Sequence, residues 1–203
     1  MKTPAAPRGS SLPRLGLAAL LLVGPGAPLM AATAPSTGGA GASPSGPGEV
    51  RAEVLSLLER SGAVPYETEW KPLGPAALGI LEELAADPNT PAQRRSRAVT
   101  FMAAVDNPQA TDRLQAFLKN GDTQPTLRAS AATALGLRVG TEAVPTLLPF
   151  LQDSSDPVRE AVARALGRLG GVQVQQALEE RLPLEEAPVV REALQQGLTF
   201  SVP

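Results

Sequence analysis

A short proline-and-arginine motif returns four times along this chain: Pro91-Ala-Gln-Arg94, Pro125-Thr-Leu-Arg128, Asp156-Pro157-Val158-Arg159 and Pro188-Val-Val-Arg191. The steps between the arginines are 34, 31 and 32 residues, and a large apolar residue stands seven positions after each: Phe101, Leu135, Leu166 and Leu198. A second register runs beside the first. Leu114, Leu147 and Leu178 follow their arginines by 19 or 20 residues, and Leu118, Leu151 and Leu182 come four later. Arg51 followed by Leu58 repeats the first spacing once more, and Leu81 stands as far before Arg94 as Leu178 before Arg191. Self-similarity at this period constrains the fold more than any other feature. Each unit is too small to bury its own apolar face, so units must stack on one another.

The units read as helix pairs. Val158, Ala161, Val162, Ala165, Leu166 and Leu169 fall at i, i+3, i+4, i+7, i+8 and i+11, one face of a helix. Gly136, Gly140, Gly167, Gly170 and Gly171 are expected to break the chain between paired helices. Thr90, Asn107 and Asp156 each precede a proline, as N-caps do, and Pro75, Pro125, Pro145 and Pro188 fit first turns. Pro149 is expected to bend its helix, because its ring removes a hydrogen bond.

The pattern Asp156-Pro-x-Arg159-x-x-Ala-x-x-Ala-Leu166-Gly167 followed by a second helix resembles the HEAT repeat, and within it the short bacterial HEAT-like type first named after phycobilisome lyases. Ala143-Val-Pro145-Thr-Leu147-Leu-Pro-Phe-Leu151-Gln-Asp153 is similar to the second helix of that repeat. The match is good over 120–182, fair over 75–119 and 183–198, and poor over 49–74. The resemblance implies an all-α, right-handed α-solenoid of about four helix pairs plus a final unpaired helix, with the second helices lining a concave face. It implies a scaffold and leaves the chemistry open.

The chain ahead of the repeats reads as an address. Lys2, Arg8 and Arg14 lead into the apolar run Leu15–Val23, then Gly24-Pro25-Gly26 and the small residues Ala31-Ala32-Thr33-Ala34. This is the order of a secretory signal peptide, 1–34, and the run is too short for a bilayer span of roughly 20 residues. The alternatives are a retained membrane anchor and an unprocessed leader. Residues 35–48 hold only Pro, Ser, Thr, Gly and Ala, a linker that cannot bury apolar surface. The repeat domain is therefore 49–203. The expected location is the periplasm or the outside of the cell, with no stable membrane anchor after cleavage.

Composition narrows the chemistry. The chain has no Cys and no His, which excludes disulfides, thiolate nucleophiles, zinc clusters and imidazole-based triads. From residue 49 onward there are 15 basic and 20 acidic residues, a net charge of −5 that disfavours nucleic acid as a partner. The same charge and the leader oppose a DNA-repair glycosylase of HEAT-like repeats. No phosphate-binding glycine motif is present, no calcium loop is complete, and no cofactor is expected. Adjacent carboxylates, Glu82-Glu83, Glu179-Glu180 and Glu185-Glu186, read as solvated faces, since neighbours on a helix diverge by about 100°.

The recurring arginines have two readings, an anion-binding stripe or a structural ladder with acids in the turn before each (Asp122, Asp153, Asp156, Glu186). The family pattern favours the ladder. Phe101, Phe117 and Phe150 fall at core positions. Tyr66 and Trp70 lie in the insertion Ser61–Gly74, which breaks the repeat; it either caps the end of the solenoid or carries a binding loop. Arg113, Lys119, Gln152, Gln175, Gln176 and Glu179 are the second-helix residues expected on the concave surface. The expected function is non-catalytic protein–protein interaction; the alternative is an accessory or regulatory subunit of an enzyme, of lyase type. Leu194 and Leu198 on the last helix are expected to leave an apolar edge that supports a weak homodimer.

Overall fold

The computed structural model describes residues 46–60 and 67–200; the leader, nearly all of the linker and Tyr66 lie outside them. The described residues fall in one unit and are helical throughout, with no strand among them. The helices are α1 (Pro47–Glu59), α2 (Glu67–Trp70), α3 (Ala76–Ala86), α4 (Ala92–Phe101), α5 (Ala110–Lys119), α6 (Pro125–Val139), α7 (Val144–Leu147), α8 (Asp156–Leu169), α9 (Val172–Arg181) and α10 (Pro188–Phe200). They form four pairs, α1/α3, α4/α5, α6/α7 and α8/α9, with α10 as a last, unpaired first helix. This is an all-α solenoid. Helix α1 starts at Pro47, just inside the stretch read as linker, because proline is pre-set for a first turn.

The first helices stack in order, α1 on α4, α4 on α6, α6 on α8 and α8 on α10. Each second helix packs on the first helix that follows it: α3 on α4, α5 on α6, α7 with its 3-10 extension on α8, and α9 on α10. The periodic leucines supply the core. Leu81, Leu114, Leu118, Leu135, Leu147, Leu166 and Leu178 are all fully buried. Helix α7 runs for four residues before Leu148–Gln152 continue it as a 3-10 turn. Pro149, which has no N–H to offer, sits in that turn, where the i→i−4 ladder gives way.

The glycines divide into two groups. Gly140 and Gly170 end α6 and α8 with φ of 58° and 67°, a left-handed backbone that side chains avoid. Gly136 and Gly167, by contrast, lie inside α6 and α8 and break nothing. Gly167 is needed for packing: a Cβ added there would meet the Gly197 Cα at 2.3 Å, so α8 and α10 touch backbone to backbone. Buried Ala163 and Ala193 keep the same interface thin.

The last helix does not present the apolar edge expected of it. Leu194 is fully buried against the preceding module, and Leu198 is half-buried. Where α8 buries Ala163 and Gly167 under α10, the corresponding positions of α10 are Gln195 and Thr199, both exposed. Polar side chains thus replace small ones on the face that a further repeat would cover, as in a capping repeat.

Gly167→Ala is expected to lower stability by about 1–3 kcal/mol, because overpacking outweighs the roughly 1 kcal/mol of helix propensity gained. At Gly136 the added Cβ would stand 3.4 Å from the Ala165 Cβ, an ordinary contact, so Gly136→Ala is expected to be neutral or stabilising. Thermal unfolding of the two variants separates these outcomes.

Candidate functional site

The arginine positions resolve by backbone register. The amides of Arg95, Arg128, Arg159 and Arg191 each donate to the residue that precedes its helix by the same offset: Pro91, Gln124, Ser155 and Ala187. The second module's repeat arginine is therefore Arg95, not Arg94. Arg95 Nε donates to the Ala85 carbonyl at 2.9 Å, as Arg128 Nε donates to the Leu118 carbonyl at 3.0 Å, both ten residues back. Arg94 points elsewhere, pairing with Glu59 of α1 at 3.1 Å on the surface.

These arginines are structural: Arg159 keeps the expected pair with Asp156 in the turn before it, but the buried partners of Arg128 and Arg159 lie in the turn after the module. Arg128 makes a two-bond ion pair with Asp153, and both side chains are about nine-tenths buried. Arg159 donates from Nε and Nη2 to the two oxygens of Glu185, each at 2.8 Å. It also reaches Asp156 at 2.7 Å and the Asp153 carbonyl at 2.8 Å. Arg181 adds a bond to Glu185 at 2.7 Å. Asp122 and Glu186 make no ion pair among the described residues. Glu185, which the sequence placed on a solvated face, is only 4% exposed.

The acceptors form a repeat of their own. Asp87, Asn120, Asp153 and Glu185 each follow a second helix, at steps of 33, 33 and 32 residues. Each accepts a backbone N–H from two residues on: Asn89, Asp122, Ser155 and Ala187. The side chain thus folds the turn, and Asp153 and Glu185 also present their carboxylates to Arg128 and Arg159. Asn120 has no charge to offer, and Arg95 turns to the Gln124 amide oxygen at 3.3 Å. Arg191, at the open end, is exposed and makes no ion pair among the described residues.

The insertion acts as a plug where it is described. Trp70, one of the two aromatics of the candidate binding loop, is fully buried, its ring edge-on to Phe101 with centroids 5.7 Å apart. Arg97 stacks on the other aromatic partner, 4.9 Å from the Phe101 ring centre. Such a position leaves Trp70 no surface for a partner and fits the capping reading of this stretch.

The second-helix candidates are exposed or half-buried, but they do not converge on one point. Arg113 is exposed on α5 and pairs with Glu82 of α3 at 3.1 Å, bridging successive second helices. Lys119 donates to Gln115, and Gln175 donates to Glu179, each one turn away on its own helix. Gln152 and Gln176 do come together: they line one groove of about 710 Å³ between the 3-10 extension of α7 and helix α9. Its apolar surface comes from Leu148, Leu151, Ala177 and Leu184, and Leu184 is 68% exposed. Leucine surface set among amides and the charged side chains of Glu180 and Arg181 is chemistry suited to holding a peptide or helix. Leu184 was not singled out in the sequence, where it reads as one more leucine beside Pro183.

Among the described residues there is no group of acids that could hold a metal, and no helix long and apolar enough to cross a membrane. The HEAT repeat family model matches residues 116–199, from the last turns of α5 to the end of α10. Among solved structures, a chain in the complex of CpcE and CpcF of phycocyanin lyase from Nostoc sp. PCC7120 is similar, with a TM-score of 0.50 and 19% identity. The alignment covers 74% of this chain and 98% of that one. At that identity the likeness speaks for the fold alone. No curated protein matches the sequence.

Hydrogen bonds from Arg159 first, then the Ala187 amide and Arg181, hold the Glu185 carboxyl down to about 2 against burial that pushes it up. A depressed carboxylate stabilises the fold above its unfolded value near 4.5 and loses that contribution as pH falls towards 2. Acid titration of stability is expected to show a loss of about 3 kcal/mol over this window. Glu185→Gln is expected to flatten the slope there and to cost about 3 kcal/mol at neutral pH, since it leaves the buried Arg159 with only the exposed Asp156 as its acid and takes the acid from half-buried Arg181. Chemical denaturation at pH 7, 4 and 2.5 checks both.

Proposed function

We propose that this chain is an exported, non-catalytic scaffold that binds a protein partner through its second-helix face. The observation that carries the reading is the groove beside Gln152 and Gln176. It sets exposed leucine surface among amide side chains on a scaffold locked by buried ion pairs. Recognition there would use the leucine surface for affinity and the glutamines for orientation. Lys119, Gln175, Glu179 and the Arg113–Glu82 pair would extend the contact along neighbouring modules. The leader-like order of residues 1–34 supports export.

The second reading, an accessory or regulatory subunit of an enzyme, uses the same face. The structural neighbour named above is a chain of a two-component lyase complex, which makes that role worth testing directly.

A photo-crosslinking residue placed at Gln176 is expected to capture one discrete protein from native cells. The same residue at Val172, which is exposed but outside the groove, is expected to capture it at least about tenfold less well. Equal capture at both positions sinks the groove reading. Adding the purified chain to the captured protein then separates scaffold from subunit, the latter requiring a change in the partner's turnover. For export, residues 1–48 fused to a leaderless alkaline phosphatase are expected to give active enzyme outside the cytoplasm; inactive fusion protein refutes that part.

A further inference from the structure

A second groove, of about 660 Å³, lies on the first-helix side, between α8 and α10. Arg164, Gly167 and Arg168 line it from α8, and Ala193, Gln196, Gly197 and Phe200 from α10. Gly167 and Gly197, whose backbones approach closely, lie among these lining residues. Phe200 stands 73% exposed at one end, an aromatic ring in water beside a preformed depression.

The charges here are unbalanced. Arg164 donates Nε to Glu160 at 3.1 Å and Nη1 to Gln196 at 2.9 Å, which leaves its Nη2 without a partner among the described residues. Arg168 makes no ion pair or hydrogen bond among the described residues. Partial burial, and then the charge of Arg164, hold its guanidinium below the ordinary value. The two buried arginines each have an acid, Asp153 for Arg128 and Glu185 for Arg159, and the half-buried Arg95, Arg97 and Arg138 donate to main-chain carbonyls instead. Arg168, exposed on the groove wall, has neither an acid nor a carbonyl partner among the described residues, and the charge nearest it is a second cation, Arg164. An arriving carboxylate would offset the repulsion between the two guanidinium groups, and a guanidinium takes it with two parallel bonds.

We propose that the groove between α8 and α10 is a docking site for an acidic peptide segment of a protein partner. Its carboxylate binds Arg168 and the free Nη2 of Arg164, and an adjacent apolar side chain lies against Phe200. The volume accommodates a short run of side chains, and the charge excludes basic segments in a chain that is otherwise acidic. This site shares with the reading above only the premise that the partner is a protein; it lies on the first helices, not the second.

The test uses the full chain and a dye-labelled, N-acetylated peptide, Glu-Asp-Glu-Phe-Glu-Asp, followed by fluorescence anisotropy at low and high salt. Saturable binding is expected, weakened at least about tenfold by Arg168→Glu and severalfold by Arg168→Gln and by Phe200→Ala. Lys71→Glu makes the same charge change on an exposed side chain of the first module and is expected to alter affinity less than about twofold. No saturable binding overturns the proposal, as does equal weakening by Lys71→Glu, or equal binding of a peptide with lysine at every acid. Light scattering covers the remaining occupant: a dimer that Arg168→Glu dissolves would assign the groove to a second copy and end the proposal. If Arg168→Glu loses the peptide while crosslinking at Gln176 persists, the two sites are independent. Peptide binding without capture at Gln176 would sink only the second-helix reading.

Discussion

The structure depends on a chain of buried ion pairs that crosses from one module to the next. Asp153 accepts two bonds from Arg128 and, through its carbonyl, a third from Arg159. Glu185 accepts from Arg159 and Arg181 and from the Ala187 amide. A lone buried charge would cost several kcal/mol, so each arginine fixes where its acid must be, and each acid fixes the turn it sits in. In a repeat protein each module touches only its neighbours, and a shared ion pair makes that contact specific in register as well as favourable in area. Leucine stacking alone tolerates small slips along the helix axis; a bidentate carboxylate does not.

The ladder also accounts for how the two ends differ. At the first module the arginine position is held by Val50, whose amide bonds to Gly46, and the end is closed by apolar means, with Trp70 packed on Phe101. At the last module Arg191 is exposed and makes no ion pair among the described residues, and α10 turns Gln195 and Thr199 outward. One end is sealed by a ring and the other by polar side chains. The two grooves follow from the same plan, because helices stacked at a fixed register leave a furrow between every neighbouring pair. Side chains then decide the chemistry of each furrow: leucine and glutamine on the second helices, arginine and phenylalanine on the last two first helices.

Much of the architecture was legible in the chain. The leucine spacing gave the helix pairs and their order, and Pro149 marked the place where a second helix gives way. The arginines were read as structural, and Arg159 does meet the expected Asp156, but the buried partners Asp153 of Arg128 and Glu185 of Arg159 were not assigned and, in one module, the wrong residue was chosen. Arg94 and Arg95 are adjacent, and only the amide register tells which one starts the ladder. Glu185 and Glu186 posed the same problem: one is buried beneath two guanidinium groups and the other is exposed. The acceptor repeat of Asp87, Asn120, Asp153 and Glu185 went unseen because its members differ in length and charge, although all four perform one backbone task.

The sequence by itself determined that this is a helical repeat without imidazole or thiol chemistry, because those facts rest on period and composition. Which small residues break helices and which let them touch was decided by the tertiary structure. Gly140 and Gly170 turn the chain, while Gly167 meets Gly197 across an interface that no local pattern records. The burial of Trp70 and Leu194, and the convergence of Arg164, Arg168 and Phe200 on one groove, were decided there too. These residues are separated along the chain or sit on faces whose neighbours come from another module. A period tells how often a surface recurs, but only packing tells which part of it remains in water.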